Sequence, residues 1–476
     1  MNVAPPLAEK LPDLSGFRIA YQAAYRAPEA EVLSNLIGRA RLPLDAAQRV
    51  GVAAGTLVDG VRAQRNGGGM ESFLREYGLS TPEGVVLMCL AEALLRVPDA
   101  ETASRLIADK IGSAEWDRHV GKSDSLFVNA STWALMLTGQ LVQPRNKTTG
   151  DPRGMMRQLL ARGGEPVIRQ AVTRAMRILG RQYVLGRTIG EALGRTGNGN
   201  SGSKGGPGKC YSFDMLGEAA KTAHDARRYF AAYVEAIGAI GAHRSAPNVY
   251  DAPGISVKLS ALHPRFEYSQ RPRVMAELSE KLTILAVKAR DAGIGITIDA
   301  EESDRLDLTL DLFALLLDEP GLAGWDGLGL AVQAYQKRAD PVIEWLEALA
   351  RAKGRRLMIR LVKGAYWDTE IKRAQEDALL DYPVFTRKAA TDVSYLACAR
   401  RMLEAPDAFY PQFATHNAHT LASILEMAGA SRRFASMRPS AATRTCCPTS
   451  CGACWKTAPT RRSFIILRTR KYQPGA

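Results

Sequence analysis

The sequence predicts an α/β protein, a (β/α)8-type barrel that lacks its last strand–helix unit and follows a helical arm and a helical domain. Three observations predict this fold. From residue 211 onward, strand-like runs alternate with amphipathic helical stretches, and such repeats give a parallel sheet. Every run ends in polar or charged residues, as at the mouth of a barrel. No Gly-x-Gly-x-x-Gly turn follows a run, which disfavours an open nucleotide-binding sheet.

The region before the barrel divides into three predicted parts. Residues 1–65 form a helical arm, because apolar residues recur at helical spacing in GFRIAYQAAYRAPEAEVLSNLIGRARL. Residues 66–190 form a helical domain, and residues 191–210 form a Gly-rich linker around GNGNSGSKGGPG. A phosphate-binding loop is disfavoured here, because Ser203 stands where the first glycine is needed and Cys210 replaces the hydroxyl.

The barrel is predicted over residues 211–428 from seven runs, each followed by a helix. The runs are YSFDML (211–216), GISVKL (254–259), GITIDA (295–300), GLAVQA (329–334), LMIRLVKG (357–364), PVFTRK (383–388) and QFATHN (412–417). Because parallel strands bring their carboxyl ends to one rim, we expect the residues that end them to converge. These are Asp214, Lys258, Asp299, Gln333, Arg360 with Lys363, Thr386 with Lys388, and His416 with Asn417.

Four cations share the predicted rim, and clustering them costs free energy unless anions compensate. They are Lys258, Arg360, Lys363 and Lys388. Asp214 and Asp299 compensate in part, and a diphosphate or carboxylate ligand would supply the rest. Gly364 lets a ligand approach the backbone, while Tyr366 and Trp367 offer aromatic surface. This combination suits a flavin, whose reduced, anionic ring a nearby cation would stabilise.

Seven motifs stand in order along the barrel: SFDMLGEAA, ISVKLSALHPRFE, TIDAEESDRLD, VQAYQKRA, RLVKGAYWDTEIKRAQ, PVFTRKAATDVSYLACAR and FATHNAHT. Together they resemble proline dehydrogenase as it occurs at the front of the bifunctional bacterial proline utilization A flavoproteins, over roughly residues 10–425. The resemblance implies a distorted barrel that binds FAD and oxidises L-proline to Δ1-pyrroline-5-carboxylate, the first step of proline catabolism to glutamate. It also implies that a membrane quinone receives the electrons.

The resemblance further implies roles for individual residues. Lys258 matches a lysine near the substrate carboxylate, and Asp299 an acidic residue at the gate between flavin and substrate. Tyr366 matches an aromatic packed on the proline ring, and Glu218 a helix glutamate near the site. The other matches are to cofactor-binding positions, with Gln333 at the isoalloxazine and Arg360 beside flavin N5: Gln333, Arg360, Lys363, Gly364, Ala365, Trp367, Thr386, Arg387, Lys388, Thr415, His416 and Asn417.

These roles have plainer structural alternatives. Glu218 could simply begin a helix, where a carboxylate suits the dipole. His416 could be a core histidine, and Tyr366 with Trp367 could be packing. We interpret Asp214 as structural. The implied chemistry, hydride transfer from proline C5 to flavin N5, requires a fixed substrate carboxylate and an amine able to lose its proton, and it needs no metal.

Residues 429–476 are predicted to be an aberrant basic, cysteine-rich tail. From 427 to 476 there are ten Lys or Arg and no acidic residue, and four of the seven cysteines lie here. The resemblance calls for an eighth strand and an Arg-Arg-x-x-Glu cluster that grips the proline carboxylate, and no such cluster occurs. A shifted reading frame explains the composition better than a zinc site does. The alternative to an active enzyme is therefore a truncated, frameshifted, non-catalytic fragment.

Charge and hydropathy exclude other classes. The net charge is +14, but subtracting the ten cations of the tail leaves only +4 on the first 426 residues. We therefore expect no nucleic-acid partner and disfavour a DNA-binding regulator. The absence of a membrane-spanning run or a signal-like N-terminus predicts a cytoplasmic protein, with peripheral contact at the inner membrane face for the quinone. We expect no aldehyde dehydrogenase half, and the motifs disfavour a flavin barrel of the methylenetetrahydrofolate reductase kind.

Overall fold

The structure is a computed structural model that describes residues 14–63, 185, 186, 188–196, 211–215, 217–244, 246–429 and 465–467. The predicted helical domain, the basic tail and residues 197–210 of the predicted Gly-rich linker lie almost wholly outside these residues, whereas residues 191–196 of that linker are helical. Within them, the strands are β1 (Ser212–Asp214), β2 (Gly254–Val257), β3 (Gly295–Ile298), β4 (Leu328–Gln333), β5 (Leu357–Val362), β6 (Phe409–Thr415) and β7 (Ile465–Leu467).

Helices precede the sheet and connect its strands. They are α1 (Ser15–Ala23), α2 (Glu29–Ala40), α3 (Leu44–Ala63), α4 (Ile189–Thr196), α5 (Ala223–Ala242), α6 (Leu259–Leu262), α7 (Arg271–Asp291), α8 (Leu306–Leu317), α9 (Ala339–Ala352), α10 (Trp367–Glu376), α11 (Lys388–Glu404) and α12 (Ala418–Met427). Their boundaries follow local chemistry, because Thr222 and Asp225 form a capping box at the start of α5 and the Asn417 side chain caps α12. No helix in the described ranges is both long and apolar enough to cross a bilayer.

The first six strands lie side by side in chain order and run parallel. This confirms the predicted parallel α/β sheet. Strands β4 and β6 are buried along their whole length, as expected where side chains cover both faces of a sheet. The last strand, β7, pairs antiparallel with β6, so it does not supply the parallel eighth strand of a (β/α)8 barrel.

The sheet is curled rather than flat. Arg360 on β5 donates hydrogen bonds to Ser256 on β2 and Ser212 on β1, both at 2.7 Å. Neither of those strands is a neighbour of β5 in the sheet. Side chains on these strands can meet only if the sheet bends around a common interior. The carboxyl ends of β1 to β5 therefore face one another across a concave mouth.

The predicted strand PVFTRK is wrong, so the described sheet has six parallel strands where seven runs were read. In this segment Val384 forms a single antiparallel bridge with Gln336, in the turn that follows β4. The amide of Lys337 donates to the Pro383 carbonyl, and the amide of Phe385 donates to the Tyr335 carbonyl. Pro383 has no N–H to donate to a neighbouring strand. The segment therefore hydrogen-bonds to the turn after β4 and does not extend the sheet.

Helices α1 and α2 pack on helices that connect the strands of the sheet. Tyr21 of α1 meets the Trp345 ring edge-on, with 6.0 Å between the ring centroids. Leu36 of α2 shares an apolar cluster with Phe385 and Ala397. Arg39 completes the contact with an ion pair of 2.9 Å to Asp340. The N-terminal helices thus bury their apolar sides on α9 and α11.

Candidate active site

Lys258 lies between two carboxylates at the mouth of the sheet. Its Nζ is 2.6 Å from Asp299 Oδ2 and 3.1 Å from Asp214 Oδ1. The geometry follows from the topology, because β1, β2 and β3 are neighbours and these three residues stand at or just beyond their carboxyl ends. Lys258 and Asp299 are brought together as expected. Asp214, which we interpreted as structural, is a direct partner of Lys258.

Burial and charge set the protonation of this trio. Burial by itself would lower the pKa of Lys258, but Asp214 and Asp299 outweigh it and hold that pKa well above the usual value. Burial raises the pKa of Asp214. Burial also opposes ionisation of Asp299, yet the bonded Lys258 ammonium prevails and lowers its pKa. Lys258 is therefore a fixed ammonium with Asp299 as its firm counter-ion, and it is not a base.

Arg360 lies in the concave interior with only 8 % of its surface exposed. Its guanidinium donates to Ser212 Oγ and Ser256 Oγ, and through Nε to Gln412 Oε1 at 3.1 Å. All three acceptors are neutral oxygens, and burial lowers the pKa of Arg360. Among the described residues, no carboxylate forms a hydrogen bond with this buried cation. Such a cation favours a bound group that gains negative charge.

Gln333 ties the end of β4 to the turn after β5. Its Oε1 accepts from the Ala365 amide at 3.1 Å, and its Nε2 donates to the Glu301 carbonyl at 2.7 Å. Gly364, directly before Ala365, has a φ of 146°. A Cβ placed at Gly364 would lie 2.4 Å from the Tyr335 ring. The close packing of Tyr335 therefore requires a glycine at this position, and the approach of a ligand to its backbone stays a prediction.

Tyr366 faces Glu218 across the mouth. The phenol donates to Glu218 Oε2 at 3.0 Å, which joins the turn after β5 to the loop after β1. Burial raises the pKa of Tyr366 far above its usual value, so the phenol keeps its proton and acts as a donor. The two side chains therefore meet at the mouth, and Glu218 does not begin a helix, since α5 starts at Ala223.

A second charged group lies along β5, α11 and α12. Lys363 is paired with Asp392 and lies 3.3 Å from Thr420 Oγ1, while Lys388 Nζ is 2.7 Å from Asp392 Oδ2. Trp367 is 42 % exposed and donates from Nε1 to the Phe385 carbonyl at 2.9 Å. Asp392 already offsets part of the repulsion that we expected a ligand to relieve.

The remaining predicted cofactor residues are exposed, except for Thr415, which is buried. Thr386 donates from both its amide and its hydroxyl to Glu29 of α2, at 3.1 and 2.9 Å. Arg387 and His416 are exposed. Asn417 accepts from the Thr420 amide at 2.9 Å through its side chain, and its amide donates to Thr415 Oγ1 at 3.1 Å. Asn417 thereby lies near the Lys363 group, because its partner Thr420 also lies 3.3 Å from Lys363 Nζ.

Sequence reasoning missed several residues that build the mouth. Asp392 had a usable signal, because it follows Lys388 by four residues on a helix. Asp214 was recognised as the residue that ends β1, but its direct pairing with Lys258 was not predicted. Glu29 had none, since its partner Thr386 lies 357 residues away. Glu301 also escaped notice, although its buried carboxylate accepts from the Ser260 amide at 2.9 Å.

Comparison with known families accounts for this arrangement. Residues 201–438, half of the chain, match the family model described as "Proline dehydrogenase". The chain belongs to the proline dehydrogenase family. Residues 15–62 match a second model, "Proline utilization A proline dehydrogenase N-terminal domain", which covers α1 to α3. The family expected from the motifs is confirmed.

Relatives and solved structures agree with that assignment. The chain is 52 % identical to the bifunctional protein PutA of Escherichia coli over 426 residues, which is 89 % of this chain and 32 % of that protein. It is 48 % identical to the Rhizobium meliloti PutA, over 90 % of this chain and 34 % of the relative. A Bradyrhizobium japonicum proline utilization A structure aligns with a TM-score of 0.63 and 46 % identity, over 89 % of this chain and 43 % of that one. The proline dehydrogenase chain described here thus spans about a third of the length of the curated relatives it matches.

A third model match concerns residues outside the described ranges. Residues 69–183 match a model named "DNA-binding domain of Proline dehydrogenase". That description conflicts with our expectation that the chain has no nucleic-acid partner, so the expectation is not kept.

Proposed function

We propose that this chain catalyses the FAD-dependent oxidation of L-proline to Δ1-pyrroline-5-carboxylate and passes the electrons to a membrane quinone. The observation that carries the proposal is the partly buried pairing of Lys258 with Asp299, together with Arg360, whose described hydrogen-bond partners are all neutral. Membership of the proline dehydrogenase family supplies the reaction class. Quinone access implies peripheral contact with a membrane surface.

The donor set fits a flavin. Enzymes of this family are flavoproteins in general, and a bound flavin supplies the hydride acceptor. The guanidinium of Arg360 has three neutral partners, so its charge remains available to a ring that becomes anionic. Lys363 and Lys388 share the single carboxylate of Asp392, which leaves net positive charge for phosphates. Gln333 presents an amide beside the same turn.

The Lys258 trio suits an amino-acid substrate. A fixed ammonium attracts the proline carboxylate, and Tyr366 offers a ring face with its phenol anchored on Glu218. The substrate amine must lose a proton before C5 gives up hydride. Lys258 cannot take that proton, because its pKa is held well above the usual value. The protein groups able to accept it are therefore the nearby carboxylates, among which Asp214 has a raised pKa.

An absorbance experiment tests the proposal. The purified full chain, supplied with FAD and passed over a desalting column, should retain a flavin spectrum. Anaerobic L-proline should bleach that spectrum, and a soluble quinone analogue should restore it. D-proline, which has the same charges but opposite handedness at the carbon bearing the carboxylate, is the matched control. Retained flavin that L-proline fails to bleach contradicts the proposed activity.

A second candidate is a flavin-binding fragment that does not turn over proline. Two observations favour it: β7 joins the sheet antiparallel, and residues 429–476 contain no Arg-Arg-x-x-Glu sequence. Without a bidentate arginine grip, the proline carboxylate loses charge-assisted hydrogen bonds worth about 1.5–3 kcal/mol each. A stable flavin spectrum that L-proline leaves unchanged supports this candidate. Bleaching of the flavin absorbance by millimolar L-proline contradicts it.

A further inference from the structure

We infer that Ser260 is a positioning residue that holds the loop around Glu218 in the shape needed for proline binding, an inference that rests on the proposed function. The loop leaves β1 through two residues with positive φ, Gly217 at 141° and Ala219 at 55°. Glycine adopts such angles freely, whereas alanine at 55° is strained and persists only where its surroundings hold it. Something must therefore fix the backbone at Ala219.

Ser260 supplies that restraint. Its Oγ accepts from the Ala219 amide at 2.9 Å, and its carbonyl accepts from the Ala220 amide at 2.8 Å. Ser260 is itself held from the opposite side, because its amide donates to the buried Glu301 carboxylate at 2.9 Å. With only 3 % of its surface exposed, Ser260 offers the Ala219 amide an acceptor that water would not readily replace.

The restraint acts on the mouth through Glu218. Glu218 stands directly before Ala219, and its Oε2 accepts from the Tyr366 phenol at 3.0 Å. Loosening the Ala219 backbone therefore frees both Glu218 and the ring of Tyr366. Lys258 keeps its bonds to Asp299 and Asp214 in that case. A defect at Ser260 should consequently weaken proline binding and leave the chemical step nearly intact.

The test uses Ser260→Ala in the full chain with FAD bound. Hydrogen exchange of the segment 217–222 should become faster, because the Ala219 amide loses its acceptor. The KM for L-proline should rise about fivefold, as for the loss of one neutral hydrogen bond. The kcat should stay within about twofold. Ser394→Ala is the matched control, since Ser394 is equally buried but faces only the Cys398 sulfur among its described contacts, at 4.0 Å.

Two results would overturn the inference: unchanged exchange of residues 217–222 in Ser260→Ala, or faster exchange with an unchanged KM. A wild-type chain that never oxidises L-proline refutes the proposed function separately. The Ser260→Ala variant is then tested by hydrogen exchange and by its affinity for a proline analogue that cannot be oxidised. That affinity should fall by the same factor of about five.

A second variant covers the case in which Ser260→Ala folds poorly. Ala219→Gly removes the strain at φ 55°, so the loop keeps its shape with less help from Ser260. Combining Ala219→Gly with Ser260→Ala should fold, and its rise in KM should be smaller than that of Ser260→Ala alone. The changes in ln KM of the two single variants are compared with that of the double variant. If the single changes simply add, the two residues do not act on one loop, and the inference is contradicted.

Discussion

Two groups of charged side chains flank the mouth of the sheet, and they differ in burial rather than in bond length. The Lys258 group has side-chain exposures of 12 % for Lys258, 21 % for Asp214 and 22 % for Asp299. In the Lys388 group, Lys388 is 73 % exposed and Asp392 is 32 % exposed. The shortest ion pairs of Lys258 and Lys388 are nearly equal in length, 2.6 and 2.7 Å. Because water screens the second group, equal distances predict unequal effects of mutation.

Lys258→Met should have the largest effect. It leaves Asp214 and Asp299 close together in a poorly hydrated place with no cation between them. The free energy of unfolding should fall by about 3–5 kcal/mol, and flavin reduction by L-proline should be lost. Urea unfolding and anaerobic flavin bleaching measure the two effects. A stability loss below about 1 kcal/mol would mean that the trio is as well hydrated as a surface pair.

Within the Lys258 group, Asp299→Asn should cost more than Asp214→Asn. The pKa of Asp299 is lowered on folding from its usual value of 3.8. Its ionised form therefore stabilises the folded protein at pH values above 3.8, and this stabilisation is lost as the pH falls through the lower pKa of the folded state. Asp214 has a raised pKa, so its ionised form is disfavoured on folding. At pH 7 we expect a loss of about 2 kcal/mol for Asp299→Asn and less for Asp214→Asn.

Urea unfolding at two pH values checks this ranking. The difference between the two variants should persist at about pH 4.5, because a carboxyl with a lowered pKa is still charged there. A reversed order at neutral pH would show that Asp214 is the principal counter-ion of Lys258.

Lys388→Met should have the smallest effect on folding and serves as the matched control for Lys258→Met. Lys388 is largely in water, so its pair with Asp392 contributes below about 1 kcal/mol. Its charge should matter for FAD, whose dissociation constant should rise a few-fold at low salt and approach the wild-type value in about 1 M salt. Fluorescence titration of FAD at both salt concentrations measures this, and a salt-independent change would contradict a phosphate contact.

The sequence predicted the mouth because its signal is local. Strand-like runs with polar ends predicted that Lys258, Asp299 and Gln333 stand at the carboxyl ends of strands, as the structure shows. The carboxyl ends of parallel strands all lie at the same edge of a sheet. PVFTRK misled for the same reason. An apolar pair flanked by polar residues looks like a strand, and only its bonds to Tyr335 and Lys337 show that it crosses a loop. Local pattern cannot reveal which distant backbone a segment will meet.

Partnership across the chain was also beyond the sequence. Nothing near Thr386 in the sequence indicates that its hydroxyl donates to Glu29. Likewise, nothing near Arg360 indicates that its guanidinium donates to Ser212 Oγ. The strained Ala219 looks like any alanine in a loop until its φ is known. Such contacts depend on how far the sheet bends and on which helix covers it, and both are properties of the packed molecule.

The three hydrogen bonds of Arg360 have a mechanical consequence. Two of them join β5 to β1 and β2 across the hollow, the third goes to Gln412 on β6, and β1 is only three residues long. Any motion that flattens the sheet would pull two of the three acceptors away from the guanidinium at once. The curvature of the sheet and the electrostatic potential in the hollow are therefore coupled. A force that flattens the sheet must also change that potential.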